Sequence, residues 1–171
     1  MNKKLVVYFS HKGENYSKGR IVNLKKGNTE IAAEIISNIT GADIFEIVAD
    51  KKYPIKYDDC IEIAKKELRA NSRPKLKDDI DIKEYDTIFV GYPNWWGTMP
   101  MPVWTFLEEK DFTNKKILPF CTHEGSGLGK SESDIKKLIG GAEVLKGLAI
   151  NGSEVNNSEK QIKKWLEDSL K

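Results

Sequence analysis

Cysteine is scarce in this chain, and its two copies stand far apart. Cys60 and Cys121 form no Cys-x-x-Cys pair and lie in no histidine-rich stretch, which excludes a disulfide framework and gives no zinc site. With 13 Gly and 6 Pro, the sequence has too little of either for collagen or low-complexity linkers. An excess of one charge is missing too. The 28 Lys+Arg and 26 Asp+Glu are scattered along the chain for a net +2, so nothing draws it to nucleic acid or an anionic membrane. No apolar run approaches the roughly 18–20 residues that span a bilayer. Met1-Asn2-Lys3-Lys4 leads into an apolar stretch over residues 5–9 only, so no export signal is expected and the expected location is a reducing cytoplasm. What is present, 39% hydrophobic and 32% charged residues in 171, is enough for one globular domain over residues 1–171.

Short apolar strand-like runs alternate with amphipathic helical patterns, the order that builds a parallel sheet with helices on both faces. Residues 5–9 are continuous and β-branched or aromatic, as a strand buried on both faces should be. Further strands are expected at 44–48, 86–92, 116–122 and 142–150, with Pro119 awkward because it lacks a ladder donor. Ile31, Ala32, Ile35, Ile36 and Ile39 form one stripe of a helix from Thr29 that ends at Gly41. Other helices are expected at 58–70, 102–109 and 131–139 and from Asn157 onward, the last two opening with capping boxes. Right-handed crossovers with one reversal give an α/β doubly wound, five-stranded parallel sheet of order 2-1-3-4-5.

In such a sheet, ligands bind at the carboxyl ends of the strands where strand order reverses, which singles out three loops. After the first strand come Ser10-His11-Lys12-Gly13, a polar insertion at 14–26, and Gly27-Asn28-Thr29 at a helix start. Free N–H groups and the helix dipole suit a phosphate monoester there, with Ser10, Asn28 and Thr29 as side-chain donors. An ordinary N-cap at Asn28 with a turn at Gly27 reads equally well. The loop after the third strand is Pro93-Asn94-Trp95-Trp96-Gly97, continuing to Pro100. A flat conjugated ring could stack on one tryptophan, while the other packs against Trp104. After the fourth strand, Thr122-His123-Glu124-Gly125-Ser126-Gly127-Leu128-Gly129-Lys130 misses both common nucleotide-binding glycine patterns by one residue. Its glycines let backbone approach a flat ligand. His123 can donate to a ring edge, while Cys121 beside it reads as a small buried thiol and not a nucleophile.

Together the three loops resemble the flavodoxin family, in particular flavodoxin-like proteins whose phosphate loop is split by an insertion, and the likeness covers nearly the whole chain. The resemblance implies flavin mononucleotide (FMN) as cofactor. Ser10, His11, Asn28 and Thr29 would hold its phosphate. Its isoalloxazine would lie between Pro93, Asn94, Trp95, Trp96 and Gly97 on one side and Thr122, His123, Glu124, Gly125, Ser126 and Gly127 on the other. The compact phosphate loop of the family is interrupted here, so either 14–26 bulges outward as a flap or the phosphate contacts differ from the family pattern; Tyr16 could reach back to the phosphate. Asn94 or Gly97 would serve where the family places a glycine whose peptide turns over. Flavodoxins are also strongly acidic and attract basic redox partners, whereas this chain has a pI of about 8.4. The resemblance implies a small electron carrier with redox partner proteins and no catalytic residue or metal of its own. An NAD(P)H-dependent FMN or quinone reductase on the same fold is the alternative.

Overall fold

The computed structural model describes residues 2–171. Five parallel strand positions make the central sheet: β1 (Lys4–Tyr8), β4 (Asp43–Glu46), β5 (Thr87–Pro93), β6 (Lys116–His123) and a divided last strand, β7 (Glu143–Val144) with β8 (Leu148–Asn151). The order is β4-β1-β5-β6 and then β7/β8, which is the expected 2-1-3-4-5 with every pairing parallel. Alternation along β1 sends its side chains into two cores. Leu5, Val7 and Phe9 join Ile88, Val90 and Tyr92 under α3 (Met101–Glu109) and α4 (Ser131–Leu138). Val6 and Tyr8 join Phe89, Leu118 and Phe120 under α1 (Asn28–Thr40) and α5 (Glu159–Ser169). Among the described residues, no helix is long and apolar enough to cross a membrane.

The last strand departs from the continuous run expected at 142–150. It breaks between β7 and β8, opposite Pro119. Leu145 N–H donates to Ile117 O, so residues 117, 119 and 121 of β6 turn their main-chain groups toward this neighbour. The proline nitrogen therefore faces the gap, where no ladder bond is lost. The capping boxes expected at the last two helices are also absent. Ser131 Oγ instead donates to Leu128 O (2.6 Å) and accepts from the Tyr92 hydroxyl (2.9 Å). Ser158 Oγ donates to Val155 O in the 3₁₀ helix Gly152–Asn157 that precedes α5.

α1 ends as its sequence indicates, with Gly41 in the left-handed region (φ 71°) donating to Ser37 O. A Cβ on Gly41 meets no atom within 4 Å, so Gly41→Ala carries only the backbone penalty. A loss of about 1 kcal/mol in denaturant unfolding is expected. A loss above about 3 kcal/mol would show that the glycine does more than close the helix.

Candidate functional site

The insertion at 14–26 is an ordered ribbon and not an irregular bulge. β2 (Gly13–Ser17) and β3 (Arg20–Leu24) pair antiparallel around Lys18 (φ 49°) and Gly19 (φ 84°), a two-residue turn with both central φ angles positive. Such turns match the twist of a hairpin and favour glycine. The hairpin is stitched down at both ends. At its base, Glu14 N–H donates to Ile55 O (3.0 Å), and the Glu14 carboxylate accepts from Tyr57 N–H (2.8 Å) at the start of α2 (Tyr57–Arg69). His11 Nε2 bonds Pro54 O (2.9 Å), so that nitrogen carries the proton. At its tip, Lys18 N–H donates to the Glu124 carboxylate (3.4 Å), and Lys18 Nζ pairs with Glu154 (3.3 Å).

Beneath the hairpin lies a cavity of about 450 Å³ at the carboxyl end of the sheet. This falls in the range of about 300–1,000 Å³ common for small-molecule sites. Of the residues singled out in the sequence, His11, Asn28, Thr29, Pro93, Asn94, Trp95, Trp96, Gly97, Thr122, His123, Glu124 and Ser126 line it. Ser10, Gly125 and Gly127 do not. Ser10 Oγ is turned onto α1, where it accepts from Glu30 N–H (3.2 Å) and takes the place of a local N-cap. The N-cap position itself is Gly27 and not Asn28, and a Cβ on Gly27 would lie 2.1 Å from Ser10 Oγ. Gly125 and Gly127 act through their main chains: Gly125 N–H donates to His123 Nδ1 (2.8 Å), and Gly127 O accepts from Asn94 Nδ2 (2.9 Å).

The floor at α1 is rich in donors. The first-turn N–H groups of a helix have no partner within the helix, and its dipole favours an anion. Thr29 and Thr122 add a buried hydroxyl pair, Oγ1 to Oγ1 at 2.7 Å, in which one proton joins the two and the second remains to be given. On the opposite wall, Asn94 pins the loop after β5 three times. Its N–H donates to Thr122 O (2.9 Å), Nδ2 to Gly127 O, and Oδ1 accepts from Gly97 N–H (2.9 Å). Trp96 (φ 57°) and Gly97 (φ 87°) then form a tight turn closed by Trp95 N–H to Thr98 O (2.9 Å). Positive φ is costly for a bulky residue and is held here by the bonds on either side.

The turn separates the two tryptophans. Trp95 packs edge-on to Phe9 (5.1 Å), Tyr53 (5.1 Å) and His11 (6.0 Å). It does not use Trp104, whose Nε1 donates to Met99 O beneath the guanidinium of Arg73. Trp96 is 49% exposed, donates through Nε1 to Ile61 O (3.1 Å) and carries Lys65 Nζ 5.2 Å above its ring. Its indole is thus fixed at the cavity mouth with surface to spare.

Sequence reasoning missed the α2 wall, made of Tyr57, Cys60, Ile61 and Ala64, together with Glu14 and Asn15 of the hairpin and Gly152. The helical spacing of Tyr57, Cys60, Ile61 and Ala64 reads as a core stripe, and the Lys18-Gly19 pair was the available hairpin signal. Gly152 leaves room at the rim, where a Cβ would fall 2.5 Å from Asn28 Nδ2.

Burial pushes the Cys60 and Cys121 thiols up to about 12, so both stay protonated, and Cys121 is no nucleophile for His123. Burial also holds His123 below the ordinary histidine value, and with Nδ1 accepting from Gly125, the neutral ring presents Nε2–H. A depressed folded-state value means that the unfolded chain binds more protons just below pH ~6.5, so stability falls as pH drops from there through the folded value. The His123 ring is expected to titrate below pH ~6.5 by NMR, and His123→Gln should flatten that part of the stability profile. A midpoint above pH ~6.5 would contradict this.

The sequence matches the family model described as flavodoxin over residues 3–169. The chain belongs to the flavodoxin family. Among solved structures, a candidate flavoprotein from Bacteroides eggerthii is 27% identical, with 100% of this chain and 99% of that one covered and a TM-score of 0.78. Another from Bacteroides uniformis is 28% identical, covering 95% and 98%, with a TM-score of 0.73. A flavoprotein from Lactobacillus acidophilus, solved in complex with FMN, is 24% identical, covers 92% and 98%, and shares the fold with a TM-score of 0.67. No curated protein matches the sequence. The hairpin between β1 and α1 contributes Glu14, Asn15 and Tyr16 to the lining of the cavity into which the start of α1 opens.

Proposed function

We propose that this flavodoxin family member binds FMN in the hairpin-roofed cavity and works as an electron carrier. The observation that carries the reading is the pairing, in one cavity, of an anion floor at α1 with a fixed, half-exposed indole at the mouth. The residues present fit the cofactor. The Asn28 and Thr29 N–H groups and the Thr29–Thr122 hydroxyl pair suit a phosphate without a cation, while Trp96 offers a face to a planar ring. His123 Nε2–H and the main chain from Glu124 to Gly127 can bond its polar edge. FMN supplies one- and two-electron transfer when bound, and the chain binds, orients and shields it. Its retention would come from the hairpin, which is tied across the cavity by Lys18. Family membership supports the same ligand. Redox partner proteins are then the expected recipients.

Mixing the FMN-loaded protein with NADPH and a quinone under air tests the carrier reading. Negligible NADPH oxidation is expected. Sustained turnover at tens per second, the ordinary range of enzymes, would replace the carrier with an NAD(P)H-dependent reductase.

A further inference from the structure

Large exposed hydrophobic side chains are few in this molecule, and they are not scattered. Four of the five are Tyr16 (44% exposed), Ile21 (46%), Ile55 (67%) and Trp96, with Ile44 on β4 as the fifth. Tyr16 and Ile21 are cross-strand partners in the hairpin and so share one of its faces. Ile55 abuts the hairpin base, where a Cβ on Gly13 would lie 2.6 Å from its Cγ2. Tyr16 and Trp96 both line the cavity, and Tyr16 sits 6.3 Å from the Tyr57 ring. The exposed apolar surface therefore gathers around the cavity mouth, the placement typical of an interaction site.

Charge is gathered there too. Residues 11–26 hold five Lys/Arg, namely Lys12, Lys18, Arg20, Lys25 and Lys26, against the single Glu14, while the rest of the chain is net acidic. Glu14 is occupied by Tyr57 N–H, Lys18 is paired with Glu154, and Lys26 with Glu34. Lys12, Arg20 and Lys25 form no ion pair among the described residues and are exposed. Lys51, Lys52 and Lys56 lie in the segment stitched to the hairpin base, and the opposing groups are Asp50, Asp58, Asp59 and Glu62 on that side, Glu46 facing Lys12, and Glu124 and Glu154 at the hairpin tip. The hairpin itself is the basic element. A two-stranded ribbon open to solvent projects that charge over about a Debye length, roughly 8–10 Å.

We propose that the rim of the cavity, formed by the apolar ring of Tyr16, Ile21, Ile55 and Trp96 and flanked by the exposed basic residues Lys12, Arg20 and Lys25, is the docking surface for an acidic redox protein. The inference rests on the electron-carrier reading and adds the charge of the partner. Opposite charge steers the encounter and apolar contact at the mouth holds it, so the partner's redox centre meets the open edge of the cavity. A second copy of this chain is a poor occupant, because two basic hairpins would repel each other at that face.

The test uses an acidic plant-type [2Fe–2S] ferredoxin as probe and basic cytochrome c as control. With the FMN-loaded protein, the second-order rate of electron exchange with ferredoxin should fall by about tenfold or more on raising salt from low to physiological strength, while that with cytochrome c should not fall. Arg20→Glu with Lys25→Glu should lower the ferredoxin rate about tenfold at low salt and leave FMN affinity within about twofold. A rate with cytochrome c that falls with salt, or an unchanged rate with ferredoxin in the double variant, would overturn the proposal, as would sedimentation showing a dimer that buries the hairpin. Docking is read separately from redox chemistry by ferredoxin-induced NMR shifts of the Trp96 indole N–H in flavin-free protein. Shifts without electron exchange leave the surface standing and count against the carrier. Absence of shifts, with electron exchange still proceeding, counts against the surface alone.

Discussion

Trp96→Ala is expected to weaken FMN binding by about 1–3 kcal/mol, roughly 5- to 150-fold in Kd, and to change folding stability by less than about 1 kcal/mol. The indole is half exposed, so deleting it opens little cavity in the core. Its fixation is what makes it a good platform. The Nε1 bond to Ile61 O and the positive φ at Trp96 and Gly97 hold the ring at the mouth before any ligand arrives, so little ordering entropy remains to be lost on binding. Equal affinity in wild type and variant, measured by flavin fluorescence titration, would remove Trp96 from the binding face.

Trp95→Ala is expected to do the reverse, costing about 3 kcal/mol of stability and lowering Tm by about 6–12 °C. Trp95 fills the space between Phe9, at the end of β1, and Tyr53, whose hydroxyl bonds Glu67 of α2. Removing it leaves a void at the junction of the loop after β1, the segment before α2 and the loop after β5. The contrast between neighbours is the test: one side chain governs ligand affinity and the other the fold. A Trp95→Ala protein as stable as wild type, by thermal or denaturant unfolding, would contradict the packing described.

Much of this fold was legible in the residues because burial on both faces leaves a plain mark. The run Leu5–Val6–Val7 and the isoleucine stripe of α1 could hardly sit elsewhere than in the sheet centre and on its face. The division of the last strand was not legible. It sits opposite Pro119 in a neighbouring strand, and its one local mark is Gly147, whose N–H donates to the Glu132 carboxylate and not to the ladder. The capping residues misled for a related reason. Ser131 and Ser158 have the right chemistry and spacing, but Ser131 falls one residue inside its helix, with Lys130 at the N-cap position, and both hydroxyls are turned back onto the Leu128 and Val155 carbonyls, away from the N–H groups they would accept from.

The candidate site shows the same boundary. Loops at the carboxyl ends of the strands could be named from topology, and most of the residues chosen there line one cavity. Ser10 Oγ accepts from Glu30 N–H, an approach that the missing side chain of Gly27 permits, and its own proton stays available. The α2 wall was invisible because Cys60, Ile61 and Ala64 have the spacing of core residues, and a cavity wall and a core differ in what stands opposite, not in pattern. The hairpin, seen only as a polar insertion, proved to be the roof.

The proposed placement of FMN puts its phosphate at the start of α1 and its ring at Trp96. Titration of flavin-free protein with FMN and, separately, with riboflavin tests it most directly, following tryptophan emission and visible absorbance together. Saturation at one FMN per chain with quenched indole emission is expected, with weaker binding of riboflavin, which brings no phosphate to the α1 floor. Failure to take up FMN, or riboflavin binding as tightly as FMN, would contradict it.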